Sequence, residues 1–137
     1  MRLYDTRFFF EHYYSTDETA LQKTKGEIRS TKKKLISAIT VHEVYLLTME
    51  KEGRKTAEVR ANLLEKDFKV VEVNSRIARI SAGFRHEYRI PMADSIIAAT
   101  AQHINATCVT DDPHITQIKE IKTSWPLLLL PLKGQST

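Results

Sequence analysis

Residues 90–112 read IPMADSIIAATAQHINATCVTDD, and this stretch decides the fold. Pro91 opens a helix, because proline's fixed φ suits the first helical position and its missing N–H is not needed there. Met92, Ile96, Ile97, Ala99, Ala101 and His103 carry the helix onward, and Asn105 is its expected stop. Thr107–Thr110 follows as a strand, and Asp111-Asp112-Pro113 as a turn. A helix that hands over to an apolar strand within a few residues sets the rhythm of an α/β domain.

The same rhythm extends outward. Met1–Asp5 reads as a short strand ending on an acid, and Thr6 through Tyr14 as a helix with Phe8, Phe9, Phe10, Tyr13 and Tyr14 as apolar bulk. Ser15, Thr16 or Asp17 caps a second helix that carries Ala20, Leu21 and a series of lysines. Leu35 and Ile36 begin a second strand, and Ser37 or Thr40 caps a helix through Val41, Val44, Tyr45, Leu47 and Thr48. Gly53 marks a break before a helix with Ala57, Val59, Leu63 and Leu64. Phe68–Val73 suits a buried strand through Val70, Val71 and Val73. Asn74 or Ser75 caps a helix whose inner face holds Ile77, Ala78, Ile80, Ser81 and Phe84. Beyond the final turn, Ile118, Ile121, Trp125 and Leu127–Leu130 are expected to include one edge strand. The expected architecture is a three-layer α/β sandwich, with a central parallel sheet of four or five short strands flanked by helices. Residues 1–137 are expected to form one domain.

Composition narrows the function. Of the 137 residues, 42% are hydrophobic and 28% charged, which suits a globular chain with a real core. No apolar run approaches the roughly 20 residues of a membrane helix, and no signal-peptide pattern precedes Asp5. The single cysteine, Cys108, excludes an internal disulfide and a cysteine-based zinc site, and is read as an inert core residue. A cytoplasmic protein is expected. The net charge of +4 is concentrated: Lys23, Lys25, Arg29, Lys32, Lys33 and Lys34 are opposed only by Glu27. Such a run is either a solvated helix end or a phosphate-binding patch, and it gains meaning as the latter only if an acidic nuclease site lies nearby.

Four acids carry the candidate chemistry. Asp5 and Asp112 each follow a strand, Asp94 sits in the first turn of a helix, and Glu43 lies early in another helix among apolar neighbours. In a parallel sheet the site lies beyond the carboxyl ends of the strands, where all four can converge. Two unit charges ~4 Å apart repel by about 4 kcal/mol at an effective dielectric near 20. Converging carboxylates therefore share a proton or bind cations, and Mg²⁺ or Mn²⁺ takes such oxygen ligands. Each acid also has a purely structural reading: Asp5 as a helix cap, Asp94 as a complement to the helix dipole, Glu43 as a surface residue, and Asp111-Asp112 as a turn. His42 and His114 sit beside candidate acids, but adjacent histidines often point elsewhere and a metal-activated water needs no histidine base. Phe8–Phe10 and the alanines at 98, 99 and 101 are read as packing residues.

The sequence resembles the PIN domains, and among them the VapC-type toxins. Leu3-Tyr4-Asp5-Thr6 resembles the family's opening strand and Asp-Thr. Residues 36–44, Ile36 to Val44, resemble the motif that brings the glutamate. Residues 90–101 resemble the proline-led helix with its aspartate and alanines. Val109-Thr110-Asp111-Asp112 resembles the fourth motif, while Ile115 departs from the phenylalanine common there. The resemblance implies a Mg²⁺- or Mn²⁺-dependent endoribonuclease with Asp5, Glu43, Asp94 and Asp112 as metal-holding catalytic residues. Thr6 and Thr110 would orient ligands or water from behind them, and Lys32–Lys34 would hold flanking phosphates. It further implies an RNA substrate, a small antitoxin partner and a homodimer. The alternatives are a non-catalytic module that binds RNA or protein, and a housekeeping RNA-processing nuclease.

Overall fold

The computed structural model describes residues 1–129. Five strands, β1 (Arg2–Tyr4), β2 (Lys34–Ser37), β3 (Lys69–Val71), β4 (Thr107–Val109) and β5 (Thr123–Ser124), form one sheet in the order β3-β2-β1-β4-β5. Every pairing is parallel. The connections are α1 (Thr6–Tyr14), α2 (Glu18–Ser30), α3 (Ala38–Glu52), α4 (Arg54–Asp67), α5 (Ser75–Tyr88), α6 (Met92–Ile104) and the one-turn α7 (Pro113–Thr116). This is the expected α/β sandwich.

The three central strands β1, β2 and β4 are short but buried on both faces, and their two-residue period divides the core in two. Leu3, Leu35 and Cys108 face one cluster, with Ile77, Phe84 and Ile90 and with Ile97, Ala98 and Ala101 of α6. Their immediate neighbours Tyr4, Ile36 and Val109 face the other, with Phe8, Phe9, Val44, Leu64, Phe68 and Trp125. The expected core roles of Cys108 and of the three alanines hold, since all are essentially inaccessible. So does the packing role of Phe8 and Phe9, whereas Phe10 is exposed.

Helix ends follow local chemistry. Asp17, Ser37 and Asn74, one from each set of candidate caps, accept a backbone N–H from the helices that follow them. Gly53 has φ +92, a conformation other residues resist, and it turns the chain between α3 and α4. Asn105 caps α6 in the left-handed region, as the expected stop.

Five details differ from the sequence reading. Pro91 is the extended N-cap of α6, one residue ahead of the first helical position expected for it. β3 ends at Val71 and Val73 is exposed, because β3 lies at the sheet edge with only β2 beside it. Ala78 is exposed, one position off the stripe of Ile77, Ser81 and Phe84 that packs inward. The far edge strand is Thr123–Ser124, and residues 126–129 form a 3₁₀ turn instead; Leu130 lies outside the described residues. Asp112-Pro113 opens α7 as N-cap and first residue. Among the described residues no helix is long and apolar enough to cross a membrane.

Candidate metal centre

Parallel strands deliver their carboxyl ends, and the amino ends of the following helices, to one side of the sheet. Asp5 leaves β1 with its N–H bonded to the Val109 carbonyl, and its carboxylate caps α1 by accepting from the Thr6 N–H at 2.7 Å. Thr110 lies just beyond β4, and its hydroxyl donates to the other Asp5 oxygen at 2.6 Å. Asp5 is thus 2% exposed and gripped on both oxygens. Thr6, buried beside it, donates its hydroxyl to Glu43 at 2.6 Å, which ties α3 to α1. Each threonine named in the sequence holds one of the candidate carboxylates.

Asp94, in the first turn of α6, faces Asp112, the cap of α7. Between them stands His114, whose Nδ1 lies 3.0 Å from one Asp94 oxygen and 3.3 Å from one Asp112 oxygen. Asp112 also accepts the His114 backbone N–H at 2.9 Å, and its own N–H donates to the Thr110 hydroxyl at 3.0 Å. One potential ligand atom each from Asp94, Asp112 and His114 lies within 4.8 Å of the others. Asp111 is engaged elsewhere: its two oxygens accept from Arg7 of α1 at 2.6 and 3.3 Å.

Crowding has electrostatic consequences. Burial pushes the Asp5 carboxyl up to about 7, with the negative charges of Asp94 and Asp112 adding to it and the bonds from Thr110 and Thr6 opposing it. Asp94 is raised as well, first by burial and then by Asp112, with Glu43 adding to the push and His114 countering it. Carboxyls held high by burial and, after it, by neighbouring carboxylates are a donor set short of positive charge. A divalent cation would supply what is missing, and the oxygen-rich composition fits such an ion.

Not every named residue joins the cluster. Lys32, Lys33 and Lys34 lie at the amino end of β2, with Lys33 accepting the Arg2 N–H at its carbonyl; this is the end of the sheet away from the acids. Together with Met1, Leu35, Asp67 and Lys69 they line a separate cleft of ≈ 400 Å³. His42 is exposed and lines a groove beside Glu43 with Phe10, Leu46, Leu47 and Glu50. His114, set aside in the sequence, sits in the middle of the acids. The signal for it was the Asp-Pro pair: a cap followed by a first-turn proline starts a helix, and the cap carboxylate turns back to accept the N–H of the residue two beyond it, which sets that residue beside the cap.

The PIN domain profile matches residues 2–121. No curated protein matches the sequence. Among solved structures, FitAcB from Neisseria gonorrhoeae is 25% identical with a TM-score of 0.77, covering 94% of this chain and 100% of its own. A toxin-antitoxin complex from Klebsiella pneumoniae is 23% identical with a TM-score of 0.73, covering 92% of this chain and 98% of its own. VapC20 of Mycobacterium tuberculosis, described as a sarcin-ricin loop cleaving toxin, is 16% identical with a TM-score of 0.70, covering 85% and 94%. With a five-stranded parallel sheet and a profile match over nearly the whole chain, the protein belongs to the PIN domain family.

Proposed function

We propose that the protein is a divalent-metal-dependent endoribonuclease, the toxin of a toxin–antitoxin pair, that hydrolyses RNA phosphodiester bonds. The observation that carries this reading is the meeting of Asp5, Asp94 and Asp112 at the carboxyl end of the sheet, with Glu43 fixed to the same end through Thr6. Two structural neighbours, a toxin-antitoxin complex and a toxin, support the biological role.

Asp5, Glu43, Asp94 and Asp112 would hold Mg²⁺ or Mn²⁺, which when bound activates water and neutralises charge on the scissile phosphate. Asp5 is the fixed base of the site, since Thr6 and Thr110 leave it little freedom to turn. Asp94 and Asp112, with side chains 18% and 16% exposed, keep part of their carboxylates open to solvent, from which a phosphate would arrive. Thr6 fixes the Glu43 carboxylate at the same end of the sheet, where it would add a further oxygen donor. Rigid carboxylates aimed before substrate arrives need no rearrangement in the transition state.

The reading also expects a cytoplasmic homodimer and a small antitoxin that blocks the acidic site with a cationic side chain, such as an arginine paired to two carboxylate oxygens. The deciding experiment incubates the purified chain with total cellular RNA in Mg²⁺, in Mn²⁺ and in chelator, then maps new ends. Discrete cuts that vanish in chelator are expected. Intact RNA under all three conditions, or cuts that persist in chelator, would overturn the reading.

A further inference from the structure

We propose that the His114 imidazole is a nitrogen donor to the cation held by Asp94 and Asp112, and that it biases the centre toward first-row transition-metal ions over Mg²⁺. The inference rests on the metal-dependent reading above and adds a donor to its four acids.

The distances are those of neighbouring ligands on one ion. Two donors about 2.1–2.2 Å from an octahedral cation and at right angles lie ~3 Å apart. Nδ1 of His114 is 3.0 Å from Asp94 and 3.3 Å from Asp112. The ring is held there by the fold: the His114 N–H is bonded to the Asp112 carboxylate, and the next residue, Ile115, is fully buried. The ring itself is half-exposed, so its Nε2 edge is accessible to solvent. Cation entry therefore needs only a change of tautomer: Nδ1 gives up to water the hydrogen it shares with Asp94, Nε2 takes one up from water, and the ring stays neutral with its Nδ1 lone pair free for the ion.

A centre built only of carboxylates suits Mg²⁺, whereas an imidazole favours later first-row ions, with affinity rising from Mn²⁺ to Co²⁺. A histidine serving only as counter-charge to two aspartates would behave differently. It would oppose every divalent cation alike, and removing it would leave selectivity unchanged or improve all binding.

The test is direct binding of Mg²⁺, Mn²⁺ and Co²⁺ to the purified chain by calorimetry, with nitrogen hyperfine coupling to bound Mn²⁺ read by pulsed electron paramagnetic resonance. The unsubstituted chain is expected to show nitrogen coupling. His114→Ala is expected to lose it and to bind Co²⁺ at least about 10-fold more weakly, Mn²⁺ somewhat less so and Mg²⁺ within about 3-fold. His114→Asn, which keeps a polar side chain at the same place, guards against a folding effect, with unfolding followed by circular dichroism. Absent coupling in the unsubstituted chain, or equal losses for the three ions, overturns the inference. If the chain binds Mn²⁺ through nitrogen yet leaves RNA intact, the donor assignment stands and the nuclease reading falls. If it binds no cation, both fall.

Discussion

The two ends of the sheet carry opposite charge in opposite states of order. At the carboxyl end the acids are buried or half-buried and fixed: Asp5 on both oxygens, Glu43 by Thr6, Asp112 by the turn it caps. At the amino end Lys32, Lys33 and Lys69 are exposed, and only Lys34 is anchored, by the Ile28 carbonyl at 3.3 Å and the face of Phe68. The charge count alone would rank the two ends as equals. Preorganisation separates them, because fixed groups in a partly dry site act strongly and specifically, while solvated lysines act weakly and through salt.

The sharpest way to break this contrast is Asp94→Asn, which keeps size but removes a ligand charge. RNA cleavage is expected to fall by at least about 100-fold with the fold intact, as checked by single-turnover assay and circular dichroism. Comparable activity in the variant would show that the carboxyl end is merely acidic. Next comes the adjacent pair. Asp112→Ala is expected to weaken cation binding and cleavage by about 10- to 100-fold, and to cost about 1 kcal/mol of stability as a lost cap. Asp111→Ala, which only frees Arg7 at the surface, is expected to change cleavage by less than about 3-fold. A reversed order in metal titrations would mean the wrong aspartate faces the site.

The third test concerns pH in the metal-free chain. Asp5 has a folded pKa of about 7, above the value of about 4 for an unfolded aspartate. The native state then binds the extra proton between these values, so its stability is greatest at the acid end of that window. It is lost as pH rises through about 7, by up to about 1.4 kcal/mol per unit. Asp94, also raised, acts in the same direction. Thermal unfolding in chelator is expected to drop across this window, and added Mn²⁺ to restore the loss near pH 7. A flat profile would remove the case for crowding. The smallest effect belongs to the other end. Replacing Lys32, Lys33 and Lys34 by glutamine is expected to weaken RNA binding by no more than about 10-fold, to flatten its salt dependence and to leave single-turnover cleavage of saturated RNA unchanged. An effect as large as that of Asp94→Asn would join the two ends into one site.

Much of this was legible in the sequence. The strands announce themselves through neighbours such as Leu35-Ile36 and Cys108-Val109, which are apolar in pairs because both faces are covered. Asp5, Asp94 and Asp112 are legible because each stands where a strand ends or a helix begins, and Glu43, in the second turn of α3, is legible through its apolar neighbours. The separation of the lysines was not drawn from the sequence, whose reading sets them on the flanking phosphates, although they precede β2 whereas Asp5 and Asp112 follow strands, and a parallel sheet sends those to opposite ends. What escaped reading was short or directional. β5 is two residues long and has no period to detect. The position of His114 depends on a single helical turn, α7, that reads as a loop until its cap is recognised. Val73 has the β-propensity of its neighbours but stands beyond the last residue that β2 can pair.

Beneath the acids, the Ser81 hydroxyl of α5 lies 2.7 Å from that of Ser95 in α6, both fully or nearly fully buried. Ser95 donates to the Met92 carbonyl, so Ser81 is the donor in the pair. This bond sets the angular phase of α6 about its own axis. Adjacent residues on a helix differ by 100°, and a side-chain tip stands about 6 Å from the axis, so a twist of roughly 10° carries the Asp94 carboxylate about 1 Å sideways. A hidden pair of serines thus works as the key on a shaft, aiming a carboxylate it never touches.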